Sequence, residues 1–215
     1  MKTIVLKDAV AMIPDGASVM IGGFMGVGTP HRLVDELVRQ GKRNLTVIAN
    51  DNALPGIGIG KLISAGAVKK TIASHIGLNP ETQKKMLAGE LEVDLVPQGT
   101  LIERIRAGGF GLGGVLTSTC VGTVVEKGKQ RIKVDGKPYI LETALRADFA
   151  LVDAFLADYI GNLYYALTAR NFNPVIAMAA DTVIVEAENI VPVGVISPDN
   201  VVTPAPVVDY IVSHA

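Results

Sequence analysis

Cysteine is scarce in this sequence of 215 residues, since Cys120 is the only one. One cysteine cannot form an intrachain disulfide, which is typical of a reducing compartment, so we expect a cytoplasmic protein. No cluster of cysteine and histidine surrounds Cys120, and we interpret it as a small buried apolar side chain rather than a nucleophile. Spacing typical of metal ligands is also missing, so we predict no metal site.

A large excess of charge is absent too. The formal net charge is -1, the isoelectric point is near 6.3, and lysine and arginine are spread along the chain. Nucleic-acid binding needs a concentrated basic face, so we expect no nucleic-acid partner. The N-terminal residues 1–16 lack the apolar core and cleavage site of a signal peptide. The uncharged stretch 107–125 holds six glycines and is too polar for a lipid-facing helix, so we expect no membrane partner.

Apolar residues make up 49% of the chain, and they follow an alternating pattern of strands and helices. The pattern predicts strands over 17–21, 44–50, 69–75 and 91–99, each followed by a helical stretch. In the helix predicted over 31–40, the apolar side chains form one stripe. Four such units predict an α/β fold with a mostly parallel open sheet and helices on both faces. Without a linker or repeat, we treat residues 1–215 as a single domain.

Residues outside these units extend the prediction. A short helix over 7–13 precedes the first strand. The segment 131–142 is predicted to form a hairpin around Asp135-Gly136. Further strands are predicted from Asp148, within 162–167, over 182–188 and within 207–215, so the second half of the chain is also rich in strands.

Polar residues and glycines follow the ends of four predicted strands. Ligands of open α/β sheets bind beyond the carboxyl ends of the strands, so these residues are expected on one rim. They are Gly22, Gly23 and Phe24; Asn50, Asp51 and Asn52; Ser74 and His75; and Gln98 and Gly99. The alternative is that they simply form turns.

The glycine loop between the first strand and the next helix fits neither common nucleotide motif. A P-loop requires a lysine where Thr29-Pro30 follow Gly28. A dinucleotide fingerprint requires a third glycine at the position of His31. Free N–H groups at a helix N-terminus still favour an anion, with Thr29 as the N-cap and Pro30 in the first turn.

Candidates for independent catalysis are few. No serine or cysteine lies in a nucleophile elbow. We interpret His31 as an exposed or capping residue. His75 is the better candidate for the rim, although a structural role is favoured.

Several motifs resemble the family I coenzyme A transferases. The segment "DGASVMIGGFMGVGTP" at 15–30 is similar to the family signature at every fixed position. The segments 79–109, "VGTVVEKGK" at 121–129 and "ARNFNP" at 169–174 also look like the first, alpha subunit of the 3-oxoacid branch. The resemblance implies an enzyme that moves CoA between a short-chain acyl-CoA, such as acetoacetyl-, butyryl- or acetyl-CoA, and a carboxylic acid.

The resemblance also assigns roles to residues. It implies a CoA-binding loop made of Gly22, Gly23, Phe24, Met25, Gly26, Val27 and Gly28. It implies substrate contacts from Asn50, Asp51, Gln98 and Gly99, with Gln98 as an auxiliary residue near the catalytic carboxylate. CoA and acyl-CoA are substrates, and no permanently bound cofactor is implied.

The nucleophile of this family is a glutamate in a Ser-Glu-Asn-Gly-type motif, which this sequence lacks. Glu188-Asn189 is the nearest match, and we interpret it as a surface turn. The resemblance therefore implies a beta subunit that carries the nucleophile, in an A2B2 heterotetramer. The alternatives are a non-catalytic ligand-sensing or structural module of the same fold, and a phosphosugar isomerase. The isomerase requires acid–base carboxylates at the strand ends, where Asp51 is the one candidate.

Overall fold

The computed structural model describes residues 3–212 and contains alternating strands and helices. The strands are β1 (Thr3–Ile4), β2 (Ser18–Ile21), β3 (Leu45–Asp51), β4 (Val68–His75), β5 (Glu92–Leu95), β6 (Gly114–Thr117), β7 (Arg131–Val134), β8 (Lys137–Thr143), β9 (Ala147–Asp158), β10 (Leu163–Tyr164), β11 (Ala180–Val191) and β12 (Tyr210–Val212). The helices are α1 (Leu6–Ala11), α2 (His31–Arg39), α3 (Gly60–Ser64), α4 (Pro80–Leu87), α5 (Gln98–Gly109) and α6 (Asn173–Ile176).

The main sheet is parallel apart from one short strand. Its order is β1-β12-β11-β9-β2-β3-β4-β5, and β10 pairs antiparallel with β9. Successive units after β2 add outward to β5, and the chain then returns to place β9 on the other side of β2. This reversal next to β2 is the type of switch point at which open α/β sheets bind ligands.

Apolar side chains alternate between the two faces of the sheet, as the pleat of a strand requires. Ile21 and Leu151 contribute to one core, which is covered by residues of α1, α2 and α3. Met20 and Ala150 contribute to the opposite core, which is covered by residues of α5 and α6. The predicted α/β class, with a mostly parallel sheet and helices on both faces, is therefore confirmed.

A second, antiparallel sheet has the order β6-β8-β7. The predicted hairpin is confirmed as β7 and β8, joined at Asp135 and Gly136, which both have positive φ as a tight hairpin turn requires. The strand β6 and the separate sheet were not predicted from the sequence. The strand β6 has four residues, begins with glycine and is defined by pairing with β8, so its local pattern is weak.

Two interpretations of single segments are wrong. Cys120 lies in a turn after β6 with φ of 69° and is partly exposed, because this glycine-rich segment runs along the surface instead of packing in the core. Glu188 and Asn189 lie within β11, which pairs with β9 as far as Val191, so they do not form a turn. Their side chains are nevertheless exposed.

The last predicted strand is observed as β12, whereas its residues 213–215 lie outside the described residues. Between residues 3 and 212, no helix is both long enough and apolar enough to cross a bilayer.

Candidate active site

A cavity of about 660 Å³ opens beyond the carboxyl ends of β2 and β3, beside the start of α5. The residues that line it are Phe24, Val27, Asn50, Gln98, Ile102, Thr168, Asn171 and Phe172. Four of these residues were predicted from the sequence, and the parallel sheet brings them together because it places the ends of its strands at one edge.

The glycine loop forms a tight turn at the mouth of this cavity. Phe24 and Val27 exchange two backbone hydrogen bonds, with N···O distances of 2.9 and 3.0 Å. The side chains of Phe24 and Val27 are about half exposed, at 47% and 52%. The loop therefore presents apolar side chains to the cavity and to solvent.

The glycines at both ends of the loop allow a close approach of other side chains. A Cβ added at Gly22 would overlap the side chain of Asn173. A Cβ added at Gly28, which also has a φ of 75°, would overlap the backbone of Ala169 and the amide of Asn171. Glycine is needed at these two positions because the segment 169–173 packs directly against the loop.

Asn171 and Asn173 bind the backbone of the loop from this side. Asn171 accepts a hydrogen bond from Gly23 N at 3.1 Å and donates one to Val27 O at 3.0 Å. Asn173 donates to Gly28 O at 2.8 Å. Sequence reasoning did not name either residue as a site residue, although both lie in the motif "ARNFNP", which carried part of the family resemblance.

Asp51 holds the loop from the opposite side. Its carboxylate is buried, accepts hydrogen bonds from Met25 N at 3.1 Å and Ala53 N at 2.7 Å, and does not line the cavity. A carboxylate already bound in this way is not the accessible acid–base group that the isomerase alternative requires. The structure therefore places Asp51 behind the loop and not in the cavity wall.

Asn50 and Gln98 form the polar part of the cavity wall. Gln98 Nε2 donates to Asn50 Oδ1 at 2.6 Å, and Ser74 Oγ donates to Asn50 O at 2.7 Å. Gly99 instead lines a separate cavity of about 330 Å³ with residues of β6. Asn52 is buried and accepts a hydrogen bond from Thr71. Of the polar residues predicted on this rim, Asn50 and Gln98 reach the main cavity.

The N-terminus of α2 already holds an anion that belongs to the protein. Glu186 of β11 accepts hydrogen bonds from Arg32 N at 3.1 Å and Leu33 N at 2.9 Å. Burial raises the pKa of Glu186, whereas these two N–H groups act to lower it. The helix N-terminus that the sequence suggested for a ligand anion is therefore occupied by a carboxylate from a distant strand.

The prediction of Thr29 as the N-cap of α2 is also wrong. Pro30 occupies the N-cap position, and no side chain of that position makes a capping hydrogen bond. Thr29 is buried, and its hydroxyl packs so closely on Gly23 that a Cβ there would overlap it. Glu186 provides the acceptor that a capping residue normally supplies.

A second acidic residue lies beside Glu186. Asp153 is its direct partner in the pairing of β9 with β11, so both side chains share one face of the sheet. Burial raises the pKa of Asp153 to about 7, and the negative charges of Glu186 and Glu188 act in the same direction. Sequence reasoning missed this pair because the two residues are far apart in the chain.

The two histidines within residues 3–212 lie outside the cavity wall. His31 is exposed, as predicted, and its Nε2 lies 3.0 Å from Gly26 O. His75 is exposed at the carboxyl end of β4. Within residues 3–212 no group of three histidine, cysteine or acidic residues is arranged to hold a metal ion.

Comparisons with known proteins agree with this arrangement. The family model described as coenzyme A transferase matches residues 3–214. The acetate CoA-transferase subunit alpha of Escherichia coli K12 is 57% identical over 98% of this chain and 96% of the relative. The acetoacetyl-CoA:acetate/butyrate CoA transferase alpha subunit of Clostridium acetobutylicum is 53% identical over 99% of this chain and 98% of the relative.

A solved structure shows the same fold at lower identity. The acyl-CoA transferase of Escherichia coli O157:H7, in a thioester complex with CoA, superposes with a TM-score of 0.87 at 23% identity. The match covers 98% of this chain but 46% of the other, so this chain spans about half the length of that enzyme.

Proposed function

The chain belongs to the coenzyme A transferase family, and we propose that, as an alpha subunit, it forms half of an active site that moves CoA between short-chain acids. The observation that carries the proposal is the composition of the cavity wall. Among the described residues, that wall offers apolar side chains, the amides of Asn50, Gln98 and Asn171 and the hydroxyl of Thr168, but no carboxylate or thiol. It is suited to bind and orient an acyl-CoA, and another chain must supply the nucleophile.

The reaction then proceeds through covalent intermediates. A glutamate carboxylate of the partner attacks the thioester carbonyl of the acyl-CoA, which gives a mixed anhydride and releases the CoA thiolate. The thiolate attacks the glutamyl carbonyl of the anhydride, which forms a glutamyl-CoA thioester and releases the first acid as its carboxylate. An acceptor carboxylate repeats these steps in reverse, leaves as its CoA thioester and restores the glutamate.

The residues of this chain contribute binding and orientation. In the proposal, Gly22 to Gly28 form the CoA-binding loop, with Phe24 and Val27 as an apolar surface for the ligand. The amide of Gln98 lies close to the glutamate of the partner, where an N–H donor stabilises negative charge on oxygen. Asn50 positions Gln98 through the 2.6 Å hydrogen bond.

The names of the two similar alpha subunits support acetate, acetoacetate and butyrate as the acids exchanged. The solved acyl-CoA transferase is about twice as long as this chain, which supports a second subunit equivalent to its other half. We propose a beta subunit as this partner, in an A2B2 heterotetramer.

Exposed apolar side chains at the rim of the cavity support an interface there. Phe24, Val27 and Leu167 lie on this rim or beside it, and Leu167 is 94% exposed. Clustered apolar exposure of this kind is typical of surfaces that another protein covers.

The test is to co-express the chain with the product of the adjacent reading frame and assay CoA exchange between acetoacetyl-CoA and acetate. We expect activity from the complex. Replacing Gln98 by alanine should lower kcat without preventing assembly, whereas Gln130→Ala, an exposed residue beside the hairpin, serves as the matched control. Unchanged turnover in Gln98→Ala would remove Gln98 from the site, and a complex inactive towards every short acyl-CoA would contradict the proposed function.

A further inference from the structure

Three side chains form a continuous chain of hydrogen bonds from the buried end of β3 to the cavity. Asp51 Oδ2 accepts from Asn50 Nδ2 at 2.7 Å, and Asn50 Oδ1 accepts from Gln98 Nε2 at 2.6 Å. Asp51 and Asn50 are almost completely buried, whereas Gln98 is exposed and lines the cavity.

The contacts of Asp51 determine which group donates and which accepts along this chain of hydrogen bonds. The contacts of its carboxylate are N–H donors, namely the backbone amides of Met25 and Ala53 and the side chain of Asn50. Because Asp51 Oδ2 accepts from Asn50 Nδ2, Asn50 turns its NH₂ group towards Asp51 and its carbonyl towards Gln98. Gln98 must then use its own NH₂ group to bind Asn50, and this leaves its carbonyl oxygen and one N–H for other partners.

We propose that Asp51 is a positioning residue that sets, through Asn50, which atoms of Gln98 face the substrate. This inference rests on the proposed function, because it takes the cavity as the active site. In the observed orientation Gln98 offers the cavity both an acceptor and a donor. In the reversed orientation its NH₂ group would turn towards the cavity and its carbonyl towards Asn50, so the cavity would face two N–H donors in place of the carbonyl oxygen.

Asp51→Asn is the substitution that reverses the donor and acceptor roles in this chain of hydrogen bonds with the least change in side-chain shape. Ala53 N donates to Oδ1, which also lies 3.3 Å from Met25 N, and these backbone N–H groups cannot reverse. The introduced amide must therefore place its carbonyl at the Oδ1 position. Its NH₂ group then takes the position of Oδ2 towards Asn50 and gives up the 3.1 Å contact with Met25 N. Asn50 then has to turn its carbonyl towards position 51 and its NH₂ towards Gln98. Gln98 has to accept this hydrogen bond through Oε1, and its NH₂ group turns towards the cavity.

A double-mutant cycle, which combines Asp51→Asn with Gln98→Ala in the assembled complex, separates this positioning role from support of the glycine loop. We expect Asp51→Asn to lower kcat by roughly tenfold or more while KM for acyl-CoA changes little, since it misorients a group at the reacting centre. In the Gln98→Ala background the same substitution should have no further effect on kcat, because the chain of hydrogen bonds then ends before the cavity. An equal loss in both backgrounds, or a rise in KM alone, would overturn the proposal and assign Asp51 to loop support.

A melting cycle on the same complexes needs no substrate. Gln98→Glu places a carboxylate against Asn50 Oδ1 in the wild-type background, and we expect the melting temperature to fall by about 3–6 °C. In the Asp51→Asn background the reversed Asn50 donates to that carboxylate, so the fall should be at most half as large.

The two cycles also distinguish failure of this inference from failure of the proposed function. If the wild-type complex transfers no CoA, the proposed function fails, and the melting cycle still tests the orientation chain. An equal fall in both backgrounds would overturn the inference even if the complex is an active transferase.

Discussion

Replacing Asp153 by asparagine should make the protein more stable at alkaline pH. Asp153 lies next to Glu186 on the same face of the sheet. Glu186 accepts hydrogen bonds from two backbone N–H groups at the N-terminus of α2. Burial, with the charges of Glu186 and Glu188, raises the pKa of Asp153 from 3.8 to about 7. The folded chain therefore resists ionisation of this group.

The sign of the pH dependence follows from the raised pKa. Below pH 3.8 Asp153 is protonated in the folded and the unfolded chain, and its ionisation does not affect stability. Between pH 3.8 and about pH 7 the unfolded chain ionises while the folded chain keeps its proton, so the free energy of unfolding falls as pH rises. Each pH unit corresponds to about 1.4 kcal/mol, which gives roughly 4 kcal/mol over the interval. Partial exposure of the side chain reduces this figure to about 2 kcal/mol.

The assay is urea unfolding of the wild type and Asp153→Asn at pH 5 and pH 8, followed by circular dichroism. Asparagine cannot ionise, so we expect the variant to gain about 1–2 kcal/mol relative to wild type between the two pH values. Asp199→Asn, at an exposed aspartate in a short 3₁₀ turn, is the matched control and should show no such gain. A gain that is equal at pH 5 and pH 8, or a variant that loses stability at pH 8, would refute the reasoning.

Three further predictions concern the glycine loop and the rim of the cavity. Gly22→Ala should lower the free energy of unfolding by about 1–3 kcal/mol, because the added Cβ would overlap the side chain of Asn173. Gly113→Ala is the control, since a Cβ at Gly113 meets open space and should change the free energy of unfolding little. Chemical unfolding measures both variants. Asn171→Ala removes hydrogen bonds to the loop backbone, so steady-state kinetics of the complex should show a higher KM for acyl-CoA; an unchanged KM would separate loop geometry from CoA binding. Leu167 has a φ of 48°, a conformation that glycine adopts without strain, so Leu167→Gly should stabilise the isolated chain. The same variant should bind the partner more weakly in a titration, because it removes an exposed apolar side chain. Equal affinity would place Leu167 outside the interface.

The alternation of strands and helices was predictable because it depends on local patterns. The apolar stripe of α2, for example, is determined by neighbouring residues and matches the observed helix His31–Arg39 within one residue. By contrast, the pairing of β6 with β8 and the cap that Glu186 provides for α2 join residues far apart in the chain. No local pattern encodes such contacts, which is why the second sheet was missed and Thr29 was misassigned.

The site was predictable to a similar extent. Phe24, Asn50 and Gln98 follow different strands, and the rule for parallel sheets was enough to place them around one cavity. The sequence did not reveal that Asp51 faces away from this cavity, because adjacent residues at a strand end differ in orientation. Asn171 was missed as a site residue because its segment approaches the loop through tertiary packing.

The half-site proposal is tested by the CoA exchange rate of the purified chain, measured alone and after mixing with the purified partner subunit. We expect no exchange between acetoacetyl-CoA and acetate for the chain alone, because the described wall of its cavity contains no carboxylate that could attack the thioester. Activity should appear on mixing, and borohydride trapping of the glutamyl-CoA thioester should modify the partner. Full activity of the chain alone, or a modified residue on this chain, would contradict the claim that it supplies half of the active site.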